Sequence, residues 1–156
     1  MNIRAMCVAF ALVISSSATF GADNLTHGTW KQNLSKSKFT PGPAPTSPAK
    51  LRIEAAPGGE VITVDSVDAG GKPFSYSYKA LYDGTPQKVS GSPYGDTVTL
   101  KQINSTSTEI NYMRDGKASR TSTRTVSKDG KTMTIRAKGT DAKGQQYTNV
   151  SIFEKQ

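Results

Sequence analysis

An all-β fold, a single antiparallel up-and-down meander closed into a barrel of about ten strands, is predicted by three features of the sequence. No stretch after residue 22 repeats apolar residues at i, i+3, i+4 and i+7 over three turns, which is the spacing a helix needs to bury one face. Thr, Val, Ile and Tyr are abundant and alternate with polar residues, as in strands with one buried face. Gly or Asp-Gly breaks the chain about every eight to twelve residues, so each connection can reach only an adjacent antiparallel strand. Closing such a meander removes the two edges that would otherwise template aggregation.

In chain order, residues 1–21 read as a secretion signal: a positive start ending at Arg4, an apolar run from Ala5 to Ile14, then mostly small residues with Thr19 and Gly21 suited to cleavage before Ala22. The apolar run is too short for an anchored membrane helix, and Cys7 lacks the upstream Leu of a lipoprotein signal. Export to a periplasm or the exterior is expected, leaving a domain of residues 22–156 with no cysteine and no transmembrane segment. The first strand is expected over 28–34, where Gly28 gives the backbone freedom to turn in and Trp30, the only tryptophan, supplies a large apolar plug. Residues 35–49 hold Pro41, Pro43, Pro45 and Pro48 and read as a connector or cap across one barrel end, with Phe39 tucked beneath. Strands then follow at 51–56, 61–67, 73–82, 87–90, 97–103, 108–114, 118–127, 132–139 and 146–155, joined by turns such as Asp83-Gly84, Asp115-Gly116 and Asp129-Gly130.

Alternation sorts the faces. Val98, Leu100 and Gln102 form one side of their strand, Met133, Ile135 and Ala137 of theirs, and Val150 and Ile152 are set apolar against Asn149, Ser151 and Phe153. With 35% hydrophobic residues the interior is expected to be small, mixed or partly wet. The formal charge of +8 would fall to +7 on loss of Arg4. The basic residues are scattered singly, so solubility rather than nucleic-acid binding is the reading of this charge.

Chemistry has few ingredients. His27 is the sole histidine and no serine elbow accompanies it, so a nucleophilic pair is not expected. The same scarcity argues against a metal site, and no cofactor is expected. Carboxylates such as Glu54 with Asp65, or Glu60 with Asp68, are expected to face water. Binding has better candidates. Phe74, Tyr76 and Tyr78 fall at i, i+2 and i+4 on one strand face, suited either to a pocket wall or to plain core packing, and Tyr112 joins them as a candidate ligand contact. Arg120 and Arg124 share a face with Ser122 between them, which would suit an anionic ligand if it points inward rather than to solvent.

Gly28-Thr29-Trp30-Lys31 at the start and Val150-Ser151-Ile152-Phe153-Glu154-Lys155 at the end resemble the fatty-acid-binding proteins of the calycin superfamily. The opening, Lys36-Ser37-Lys38-Phe39 and the Pro-rich run also look like small exported bacterial proteins described as lipocalin-like. The resemblance implies a barrel closed by Gly28 and Trp30, with Arg124, or failing that Arg136, packed over the indole by a cation–π contact. It also places Arg124 at a basic position that helps hold a fatty carboxylate, while the partner Arg and Tyr of that clamp fall on Ser151 and Phe153. The family's helical lid has no counterpart in the proline run. Two readings follow: an exported monomer that carries a small hydrophobic or amphipathic molecule, or a secreted or periplasmic protein–protein module, such as an inhibitor or envelope factor, with a filled core. An enzyme is not expected.

Overall fold

The computed structural model describes residues 24–156 apart from Ala69 and Ala142. The proposed signal and its cleavage point lie outside the described residues. Ten strands form one antiparallel sheet: β1 (Gly28–Thr40), β2 (Lys50–Ala56), β3 (Gly59–Val67), β4 (Pro73–Leu81), β5 (Gln87–Lys88), β6 (Thr97–Asn104), β7 (Ser107–Arg114), β8 (Lys117–Val126), β9 (Thr132–Thr140) and β10 (Gln146–Lys155). No helix occurs among the described residues. The spatial order is β4-β3-β2-β1-β10-β9-β8-β7-β6-β5, so the first and last strands are neighbours, paired from Trp30 with Lys155 to Thr40 with Thr148.

The barrel's seam therefore lies between β4 and the β5–β6 pair. There Gly84 N donates to Leu100 O at 2.9 Å and Gln102 N to Tyr82 O at 3.1 Å, and Asp83 bridges Lys101. The Asp115-Gly116 turn between β7 and β8 has φ of 51° and 74°, both in the left-handed region that a two-residue type I′ hairpin requires.

Two expectations are corrected. β1 does not stop at residue 34 but runs to Thr40, leaving only 41–49 as the Pro-rich connector. It continues by a bulge, since the register moves from Asn33 opposite Ile152 to Lys38 opposite Val150. Polar side chains stabilise the extra residues: Ser37 Oγ donates to Asn33 O, and Ile152 N donates to Ser37 Oγ. The faces of β10 are also reversed: Phe153 is buried, while Val150 and Ile152 are only partly so. Directly paired residues share a sheet face, and Phe153 pairs with buried Gln32 on one side and buried Met133 on the other.

One end of the barrel is closed. Trp30 is completely buried, and its Nε1 donates to Thr26 O at 2.8 Å, so the indole is sealed by the chain that leads into β1. The cation over its ring is neither Arg124 nor Arg136 but Lys155, whose Nζ lies 5.2 Å from the ring centroid and donates to Leu25 O. Strand parity decides this: Lys155 is paired with Trp30, whereas Arg136 alternates outward between buried Ile135 and Ala137. Gly28 makes the arrangement fit, because a Cβ there would stand 2.8 Å from Lys155 Cε and its φ of 131° disfavours any side chain.

A different constraint holds Gly59, whose added Cβ would come within 1.9 Å of Ala80 O where β3 meets β4. Gly59→Ala is expected to cost about 1–3 kcal/mol as overpacking, read from urea unfolding. Gly144→Ala, at an open turn with nothing within 4 Å, serves as the comparison for backbone strain alone.

Candidate functional site

Above the closed end the interior is hollow. A cavity of about 660 Å³ opens where the Pro-rich connector meets the β3–β4 and β9–β10 turns, and Phe39, Pro41, Pro43 and Pro45 stand at this mouth. Its β2–β3 wall is apolar, made by Leu51, Ile53, Ile62 and Val64. The wall from β4, β7 and β8 is aromatic and polar.

Phe74, Tyr76 and Tyr78 all line the cavity, placed there by alternation along β4. Their rings lie nearly parallel at 11°, with 6.2 Å between successive centroids. Tyr112 crosses from β7, edge-on to Tyr78, and its hydroxyl donates to Tyr78 Oη at 3.1 Å. Tyr76 and Tyr112 hydroxyls lie 3.3 Å apart. Burial pushes the Tyr76, Tyr78 and Tyr112 phenols above the usual tyrosine range, so they remain neutral donors.

Arg120 and Arg124 both turn inward from β8, with Ser122 between them, but their environments differ. Arg124, deep and only 2% exposed, is matched by Glu60, which is fully buried on the opposite wall. Arg124 Nη2 donates to Glu60 Oε2 at 3.0 Å, and Nη1 stands 2.6 Å from Oε1, near enough for full charge attraction though not aligned as a hydrogen bond. Tyr82 Oη donates to the same Oε2 at 2.9 Å and accepts from Asn24. The carboxylate expected to face water is thus the counterion of the barrel floor. Arg124 borders the cavity with its charge already compensated, which removes it as the seat of a ligand's carboxylate.

Arg120 lies nearer the mouth. Its guanidinium carbon sits 4.0 Å over the Tyr94 ring, its Nε is buried without an acceptor, and no carboxylate lies within 4 Å among the described residues. Burial opposes its charge, but the phenols of Tyr94, Tyr147 and Tyr112 outweigh that and its pKa rises. It is a half-buried cation faced by aromatic rings. Arg136, by contrast, is exposed and belongs to neither the cavity nor the closure.

Sequence reasoning missed Glu60, Tyr94, Tyr147 and Lys155. Glu60 had a signal, since it shares the parity of Ile62 and Val64; Tyr94 lies in a loop and had none. The single histidine meets a phenol, His27 Nε2 being 3.4 Å from Tyr82 Oη. Among the described residues no cluster of three His, Cys, Asp or Glu could hold a metal ion.

No protein-family model matches the sequence, and no curated protein does either. Solved structures do. The chain is similar to zebrafish ileal bile acid-binding protein, crystallised with cholic acid, at 10% identity and a TM-score of 0.53, covering 85% of this chain and 99% of that one. The fold is a calycin-like barrel. A redesigned β-barrel is similar at 13% identity and a TM-score of 0.50, covering 85% of this chain and 93% of the design.

Proposed function

We propose that this barrel binds a small, at least partly apolar molecule in its cavity and that it does so as an exported monomer, in a periplasm or outside the cell. The observation that carries the reading is the hollow itself: about 660 Å³ falls within the ~300–1,000 Å³ usual for ligand pockets. A barrel kept for protein contacts through a filled core would leave no such space, and Tyr76 and Tyr78, needed for an outer patch, are buried. The bile acid-binding neighbour, solved with cholic acid, supports the use of this architecture as a container. Export rests on the pattern of residues 1–21. Binding rather than catalysis is proposed because the inward tyrosines are held neutral and the inward carboxylate of Glu60 is taken up by Arg124.

The uncharged probe N-phenyl-1-naphthylamine tests the container directly. It is expected to brighten and shift to the blue on the wild-type protein, and Ser151→Trp, which places an indole in the cavity, is expected to abolish this without unfolding the barrel. Absence of any response, together with ligand-free protein in native mass spectrometry after gentle purification from its source, would overturn the proposal.

A further inference from the structure

We infer that the occupant is a flat aromatic anion, its acidic group held by Arg120 just inside the mouth and its rings packed among the tyrosines. This rests on the reading of the barrel as a container and specifies what it contains.

The charge argument starts from the two inward arginines. Arg124 is neutralised by Glu60, and a second carboxylate beside that pair would be repelled by the first. Arg120 stands four residues closer to the mouth, roughly 13 Å along the strand at the usual rise per residue. It has no carboxylate partner within 4 Å among the described residues. Asp141 also borders the mouth, but its Oδ1 is held by the Lys143 and Gln145 amides. A cation half withdrawn from water without a counterion is unfavourable, and Tyr94 covers one face of the guanidinium. The N–H edge that remains is a fork suited to the paired oxygens of a carboxylate or sulfonate.

The ring argument starts from the wall. Five of the six tyrosines line the cavity, joined by Phe39, Phe74 and Phe153. A ring packed against these faces and edges gains a stacking or edge-to-face attraction beyond area burial, which a saturated chain does not. The hydroxyls supply a second point. Tyr112 spends its one proton on Tyr78, so Tyr76 is the donor to Tyr112, and the Tyr78 proton has no acceptor among the described residues. A ring oxygen or nitrogen takes that proton; a saturated chain leaves it unpaired.

Three probes on the full-length protein separate the outcomes: the anionic dye 1-anilinonaphthalene-8-sulfonate, its uncharged relative N-phenyl-1-naphthylamine, and dodecanoate. The sulfonate is expected to bind, Arg120→Gln to weaken it about ten- to a hundredfold while moving the uncharged dye less than about twofold, and Arg120→Lys to recover part of the loss. Dodecanoate is expected to bind at least about tenfold more weakly than the sulfonate. Should Arg120→Gln not fold, displacement of the sulfonate from the wild-type barrel by naphthalene-2-carboxylate, at about a tenth of the concentration that 2-naphthol needs, carries the same expectation. Sulfonate affinity that ignores Arg120, or a carboxylate no better than the naphthol, overturns the charge assignment. Dodecanoate binding as tightly as the sulfonate overturns the aromatic one. If the uncharged dye binds and the sulfonate does not, the container stands and this inference falls; if neither dye binds, both fall.

Discussion

Arg124→Met is expected to destabilise the barrel by about 3–5 kcal/mol, because it leaves the fully buried Glu60 carboxylate without its counterion. Among the described residues the remaining side-chain donor to Glu60 is the Tyr82 hydroxyl, which does not neutralise the charge. The pair itself is a poor source of net stability, since taking two charges out of water offsets much of their attraction. The double variant Glu60→Leu with Arg124→Met is therefore expected to be far less damaged than Arg124→Met alone, near the wild type in urea midpoint. A double-mutant cycle reads the coupling. Equal losses in the single and double variants would show that Arg124 contributes by packing and not by charge.

Trp30→Ala is expected to cost about 3–5 kcal/mol, the usual range for emptying a buried indole site. The loss has three parts: the ring's apolar contacts, the Nε1 hydrogen bond to Thr26 O, and the platform under Lys155. Trp30→Phe keeps a ring and removes the donor, so it is expected to fall between the wild type and Trp30→Ala. Lys155→Met keeps the apolar stem and removes the cation with its hydrogen bond to Leu25 O, and is expected to cost under about 1 kcal/mol at so exposed a site. A Trp30→Ala protein with an unchanged melting temperature would remove the indole from its role as the floor of the barrel.

The two arginines illustrate why the site was harder to read than the fold. Position along β8 places both on one face with Ser122, and alternation along β4 does the same for Phe74, Tyr76 and Tyr78. Parity says which residues share a face but not what stands across the barrel. Glu60 and Arg124 are separated by 64 positions in the chain, and their contact exists only because β3 and β8 come to oppose each other. The indole's cation was misassigned for the same reason: Lys155 reaches Trp30 through the pairing of the last strand with the first.

Strand number, antiparallel order and most of the inward faces are legible in the residues, because short Gly and Asp-Gly turns leave no other partner and a period of two has only two phases. The sequence could not set the phase of β10 or the length of β1, where a bulge held by Asn33 and Ser37 shifts one strand against its neighbour. Tertiary structure alone decided that a 660 Å³ space remains above Trp30 and that one inward arginine is neutralised while the other is not. Both follow from which walls face each other after closure, a long-range geometry to which local alternation is blind.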